Sequence, residues 1–95
     1  MIQLKSPREI ETMAAGGRIL AATHRHIRPA IVPGITTLEI DAMVEAFIRS
    51  HPGATPSFKG LYGFPASACI SINEEIVHGI PSPRRILAAG DIVTV

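Results

Sequence analysis

Proline and glycine set the limits on what this chain can fold into. Eight of each leave only two stretches suited to long helices, one following Pro7 and one between Gly34 and Pro52. Proline has no backbone N–H and its ring clashes with the preceding helical turn, while glycine loses the most backbone entropy when ordered. Both stretches open with the same grammar. In SPREIETM, Ser6 is placed to cap, Pro7 suits the first helical position, and Glu9 can reach back to complete a capping box. In ITTLEIDAM, Thr36 and Glu39 repeat the pattern. Small or apolar residues then recur at Ile10, Met13, Ala14, Gly17, Ala21 and Ile27, and again at Ile40, Met43, Val44 and Phe47, close to helical spacing. Arg25 and Arg28 suit the negative end of the first helix dipole, and Pro29 with Pro33-Gly34 ends it. His51-Pro52-Gly53 ends the second helix. Gly16-Gly17 is unfavourable inside a helix and predicts either close approach of another backbone or a local weak point.

After Gly53 the texture changes. GATPSFKGLYGFPAS interleaves Gly53, Gly60 and Gly63 with Pro56, Pro65 and every aromatic except Phe47, which predicts a structured loop. ASACISI alternates, with Ala68, Ile70 and Ile72 on one face and Cys69 and Ser71 on the other, as a strand does. Asn73-Glu74 can turn, EIVHGI resumes an extended course, and Pro81-Ser82-Pro83 breaks it. Ala88-Ala89-Gly90-Asp91 is a turn that leads into a last strand, IVTV. Two helices followed by antiparallel strands define an α+β chain, read as a single unit over residues 1–95.

Nine basic residues face eight acidic ones, a net charge of +1, and no run of Lys or Arg makes the footprint that nucleic-acid binding demands. Arg84-Arg85 reads as a solvated pair in a Pro-flanked turn. Cys69 is the only cysteine, so no internal disulfide forms, in keeping with a reducing compartment. MIQLKSPREI lacks the apolar core of a secretory signal and no stretch approaches a membrane span, so a soluble cytoplasmic protein is expected.

Few residues carry obvious chemistry. His24 and His26 lie two apart on a helix and point to different faces, no His-Glu-x-x-His pattern exists, and one cysteine cannot build a thiolate site. With His51 they read as surface histidines at helix ends, and Glu74-Glu75 as a solvated pair in a turn. His78 differs, because it closes an apolar run and Gly79 removes any side chain beside it. One reading is a strand-end histidine bonded to a carbonyl. The other is an imidazole aimed into a cleft beside a peptide, able to bond an amide or carry a proton near neutral pH. Phe58, Leu61, Tyr62 and Phe64 admit the same choice, between core beneath a long loop and the walls of an apolar pocket shaped by Gly60 and Gly63.

SPREIETMAAGGRI, PSFKGLYGFPASACISINEEIVHGIP and LAAGDIVTV, in this order and spacing, resemble type I methionine aminopeptidases over essentially the whole chain. SINEEIVHGIP is the most specific segment, and it separates this group from the related prolidases, aminopeptidases P and creatinases. The resemblance implies the N-terminal, incomplete portion of a pita-bread fold, in which two helices pack on antiparallel strands. It implies removal of the initiator methionine from nascent polypeptides when the second residue is small. It places His78 beside the scissile peptide and Phe58, Leu61, Phe64 and Cys69 in the methionine pocket. Some members carry a histidine where this chain has Leu61-Tyr62-Gly63, so the contact that histidine makes is not expected here.

The family's metal ligands, two Asp, one His and two Glu, are expected beyond GDIVTV. The resemblance thus implies two divalent ions (Co, Mn, Fe, Zn or similar) in the full-length enzyme, none held by these residues alone, and a chain inactive by itself. Asp91 belongs to the turn before IVTV and is not a ligand candidate. The implied partners are N-terminal methionyl peptides of nascent proteins, with contact to the ribosome. Two alternatives fit the same residues, a non-catalytic pita-bread binding protein and a prolidase or aminopeptidase P relative.

Overall fold

The computed structural model describes residues 1–95. Helix α1 spans Pro7–Ile27 and helix α2 spans Thr37–Arg49. Both begin in complete capping boxes: the Ser6 and Thr36 side chains accept the N–H of Glu9 and Glu39, whose carboxylates accept the cap residues' own N–H in return. A single 3₁₀ turn, Arg28–Ala30, follows α1. Two short strands, β1 (Ser71–Ile72) and β2 (Val93–Thr94), pair antiparallel with Ser71 opposite Thr94 and Ile72 opposite Val93.

The core lies where the end of α1, the inner face of α2 and β1 meet. It consists of Ile27, Ile40, Val44, Ala68, Ile70, Ile72 and Leu87, with Met43, Ile48 and Val93 packed against it. The apolar stripe read along α2 is the face that packs here. Along α1 the outcome differs. Ile10 and Met13 are 56% and 62% exposed, and Ala15, Ile19, Thr23 and Ile27 make the inward face instead. Alpha-helical α1 is about 31 Å long, but only its C-terminal half reaches α2, so the early apolar residues meet no neighbour. A Cβ on Gly16 or Gly17 would meet nothing within 4 Å outside its own helix backbone, which removes close backbone packing as their reason within this chain.

The N-terminus of α2 is tied to residues 82–87. Thr37 N–H donates to the Arg85 carbonyl over 2.9 Å, and Ser82 N–H donates to Thr37 Oγ1 over 2.8 Å. Asn73 clamps the start of β2, donating its backbone N–H to the Ile92 carbonyl and accepting the Ile92 N–H on its side chain.

The extended course expected for EIVHGI is replaced by a tight excursion. Asn73 and His78 both have left-handed backbones, φ 54° and 61°. The chain rejoins β1 only at Gly79, whose carbonyl accepts the Ile70 N–H over 2.8 Å. The strand expected over ASACISI shortens accordingly to Ser71–Ile72. Ser71 is buried alongside the alternating Ala68, Ile70 and Ile72, because its hydroxyl is needed inside to accept the Gly79 N–H.

The accessible surface of 6886 Å² exceeds the ~5,300 Å² expected for a compact 10.1 kDa chain. The radius of gyration, 14.9 Å, likewise exceeds the ~12 Å of a compact domain this long. Ile10, Met13 and Leu20 on α1 and Ile76, Val77 and Ile92 near the strands account for much of the uncovered apolar surface.

Candidate active site

Gly79 shows why a histidine ends up at this position. A Cβ on Gly79 would sit 1.9 Å from the Ile70 carbonyl oxygen and 2.6 Å from its carbon. The space that the glycine opens is therefore filled by the β1 backbone, not by a ligand. With Gly79 locked there, the preceding residue has to reverse direction. His78 does so in the left-handed region, which histidine tolerates better than most non-glycine residues. Such a conformation persists where neighbours enforce it, and it is concentrated at binding and catalytic sites. Here it leaves the imidazole exposed, with no hydrogen bond within the chain. Of the four histidines only His51 bonds its ring internally, to the Phe47 carbonyl at 2.9 Å. His78 is thus not held by a carbonyl.

The loop opposite supplies apolar walls. Gly60, Tyr62 and Gly63 all take positive φ, and a 3₁₀ turn over Leu61–Gly63 folds the segment back on itself. Gly60 N–H donates to the Phe64 carbonyl over 2.8 Å to close it. Phe58 and Phe64 meet edge to face with ring centroids 6.5 Å apart. Between this loop and His78 lies a cleft of about 510 Å³, lined by Phe58, Leu61, Phe64, Cys69 and His78 together with Tyr62, Gly63, Pro65 and Ile80. The structure brings all five residues singled out in the sequence into one cavity. Tyr62 and Ile80 join them. Tyr62 was visible in the sequence as a loop aromatic, whereas Ile80 carries no local signal and reaches the cleft only through the reversal at His78. The cleft is of a size that holds one side chain with part of its backbone and offers one imidazole at its rim.

A larger groove of about 810 Å³ runs between α1, α2 and residues 52–58 and shares Phe58 and Cys69 with the cleft. Its one titratable side chain besides Cys69 is His24.

Four carboxylates are committed to structure. Asp41 is buried, with Oδ1 accepting the N–H of Ser67 and of Ala68, each over 2.8 Å. Glu45 accepts from Lys59 and Ser67, and these bonds, Lys59 first, hold its carboxyl down at about 2. Glu75 accepts the Ile72 N–H and pairs with Arg85 at 2.8 Å, so it is not the freely solvated residue expected. Asp91 sits in its turn, accepting the Ala88 N–H and the Asn73 amide, and both lower its carboxyl below the usual range. No group of three or more His, Cys, Asp or Glu side chains is placed to hold an ion. His26 and His51, expected as plain surface histidines, flank Phe47: His26 stacks on it at 4.4 Å and His51 meets it edge-on at 4.9 Å, which ties the end of α1 to α2. No helix is long and apolar enough to cross a membrane.

Comparison with known proteins places this arrangement. A methionine aminopeptidase of Clostridium perfringens is 52% identical over 95 residues, covering 100% of this chain and 37% of the relative. Methionine aminopeptidase 1 of Bacillus subtilis is 50% identical, again over the whole chain and 38% of the relative. The chain therefore spans little more than a third of the length of these relatives. The crystal structure of methionine aminopeptidase from Thermotoga maritima superposes with a TM-score of 0.92 at 39% identity, covering 98% of this chain and 37% of that one. The Rickettsia prowazekii methionine aminopeptidase gives 0.91 at 36% identity with the same coverage. The two helices and the antiparallel pair are thus part of a pita-bread fold. The signature of metallopeptidase family M24 matches residues 11–95, and the chain belongs to that family.

Proposed function

We propose that this chain is the peptide-recognition portion of a cytoplasmic methionine aminopeptidase, which removes the initiator methionine from nascent polypeptides when the second residue is small. The observation that carries the reading is the convergence of Phe58, Leu61, Phe64 and Cys69 on one cleft beneath an unpartnered, exposed imidazole at His78. An unbranched, polarisable methionine side chain suits such an aromatic and thiol-lined cavity. His78 at the rim then faces the peptide bond that follows. Its ring can donate to or accept from that bond, because no internal partner competes for either nitrogen.

The two divalent ions of a dinuclear aminopeptidase do not fit the donors of this chain. Asp41, Glu45, Glu75 and Asp91 are each engaged by amides or cations, and no three donors converge. His78 and the apolar walls bind and orient the substrate. The ligand set for the ions, whether cobalt, manganese, iron or zinc, has to come from residues outside these 95.

Release of methionine from Met-Ala-Ser tests the reading. The full-length polypeptide containing this segment, supplied with cobalt or manganese, is expected to release methionine and to leave an Ala-Pro peptide intact. The 95-residue chain alone is expected to cleave neither peptide. Cleavage of Ala-Pro in preference would place the protein among prolidase-like enzymes, and absence of any cleavage by the full-length polypeptide would make it a binding protein. Turnover by the short chain above a chelator-treated control would overturn its predicted inactivity.

A further inference from the structure

Glu45 lies on α2 outside the cleft, yet one of its oxygens holds both ends of the loop that builds the cleft. Lys59 Nζ donates to Oε1 over 2.6 Å, and Ser67 Oγ donates to the same oxygen over 2.7 Å. Between these anchors lie Leu61, Tyr62 and Phe64, and Cys69 follows just beyond the second. Arg49, one helical turn along α2, donates to the other oxygen over 3.2 Å and orients the carboxylate. One turn back, buried Asp41 fixes the second anchor by accepting the backbone N–H of Ser67 and Ala68. The spacing of Asp41, Glu45 and Arg49 puts all three in one row on the helix.

Buried Pro56 and Ala66 pack the two ends of this stretch, and few hydrogen bonds restrain what lies between them. No backbone hydrogen bond leaves residues 55–66, and the bond from Lys59 to Glu45 is the only side-chain hydrogen bond tying that stretch to the rest of the chain. Phe58, Leu61 and Tyr62 are all exposed. The loop closes on itself through Gly60 and Phe64, so it can shift as a body if the anchors shift.

We propose that Glu45, backed by Asp41, is a positioning residue that sets the width of the cleft for the first side chain of the bound peptide. The proposal rests on reading the cleft as the methionine pocket. An ångström of loop movement alters apolar contact with that side chain equally in the ground and transition states, so it changes KM and spares kcat.

The test measures KM, kcat and Tm for Met-Ala-Ser hydrolysis by the full-length polypeptide. Glu45→Lys sets a positive charge against Lys59 and Arg49, and is expected to raise KM about 5- to 10-fold with kcat within about 2-fold. Lys59→Glu, at an exposed position where folding is not at stake, is expected to raise KM about 3-fold. Combining the two restores opposite charges across the loop and should recover most of the lost KM. A fall in Tm with unchanged KM in both single variants, or a double variant no better than Glu45→Lys, overturns the proposal. An unmodified polypeptide that releases no methionine overturns the pocket reading, and this proposal with it.

Discussion

Replacing Gly79 with alanine adds one methyl group at the point where the His78 excursion returns to β1. The new Cβ would lie 1.9 Å from the Ile70 carbonyl oxygen and 2.9 Å from Ser71 Cα. Carbon–oxygen contacts settle no closer than about 3.3 Å, so the two backbones must part by more than an ångström. Two hydrogen bonds span that gap: Ile70 N–H to the Gly79 carbonyl at 2.8 Å and Gly79 N–H to Ser71 Oγ at 3.1 Å. Neither survives such a movement, and Ile70, Ser71 and Gly79 are all buried, so the freed groups find no water. Overpacking costs ~1–3 kcal/mol and each of the two stranded buried donors ~1–3 kcal/mol, which puts the total at roughly 3–9 kcal/mol. Gly79 does not occupy the left-handed region, so the effect is steric and not conformational. Gly16→Ala is the matched control: the same methyl group meets nothing within 4 Å inside α1 and is expected to stabilise by ~0.5–1 kcal/mol. Urea unfolding of the full-length polypeptide followed by circular dichroism gives both values. A Gly79→Ala variant within about 1 kcal/mol of the parent would refute the contact as the reason for this glycine.

His78→Ala in the full-length polypeptide is expected to lower kcat on the order of 10²–10⁴-fold, more than it raises KM, with an unchanged circular dichroism spectrum; an unaltered kcat would return His78 to a structural role. The 95-residue chain, with its uncovered Ile10, Met13 and Leu20 and a β2 strand paired on one side only, should elute from size exclusion as dimer or aggregate. A monomer with a sharp, reversible transition would show that it closes its own core. Because Glu45 titrates at about 2 when folded and at 4.5 when free, its ion pairs stabilise the fold above pH 4.5 and are lost as pH falls from there toward 2. Thermal unfolding across that window should therefore fall more steeply for the parent than for Glu45→Gln, and parallel curves would show that the pairs contribute nothing.

Whatever depended on neighbours within a single turn could be read from the sequence. Ser6 with Glu9 and Thr36 with Glu39 are three residues apart, so their reciprocal bonds form whatever the rest of the chain does. The stripe Ile40, Met43, Val44 and Phe47 was legible for a related reason, since α2 is short and packed along its full length. The inward face of α1 was not, because periodicity shows that a helix has an apolar face but not how far its partner extends along it. The sequence also singled out His78 and Gly79, yet not what filled the space beside the glycine. That was decided by Ile70 and Ser71, brought there by the reversal through Asn73 and His78. Nothing local in the sequence sets Glu45 apart from the other acidic residues of its helix. Its bonds to Lys59 and Ser67 bridge 14 and 22 residues, and a separation of that size appears only once the loop has folded over α2. Local hydrogen bonds are set by the chain's own geometry. Contacts between distant segments are set by where packing brings those segments together, and the cleft is made almost wholly of the second kind.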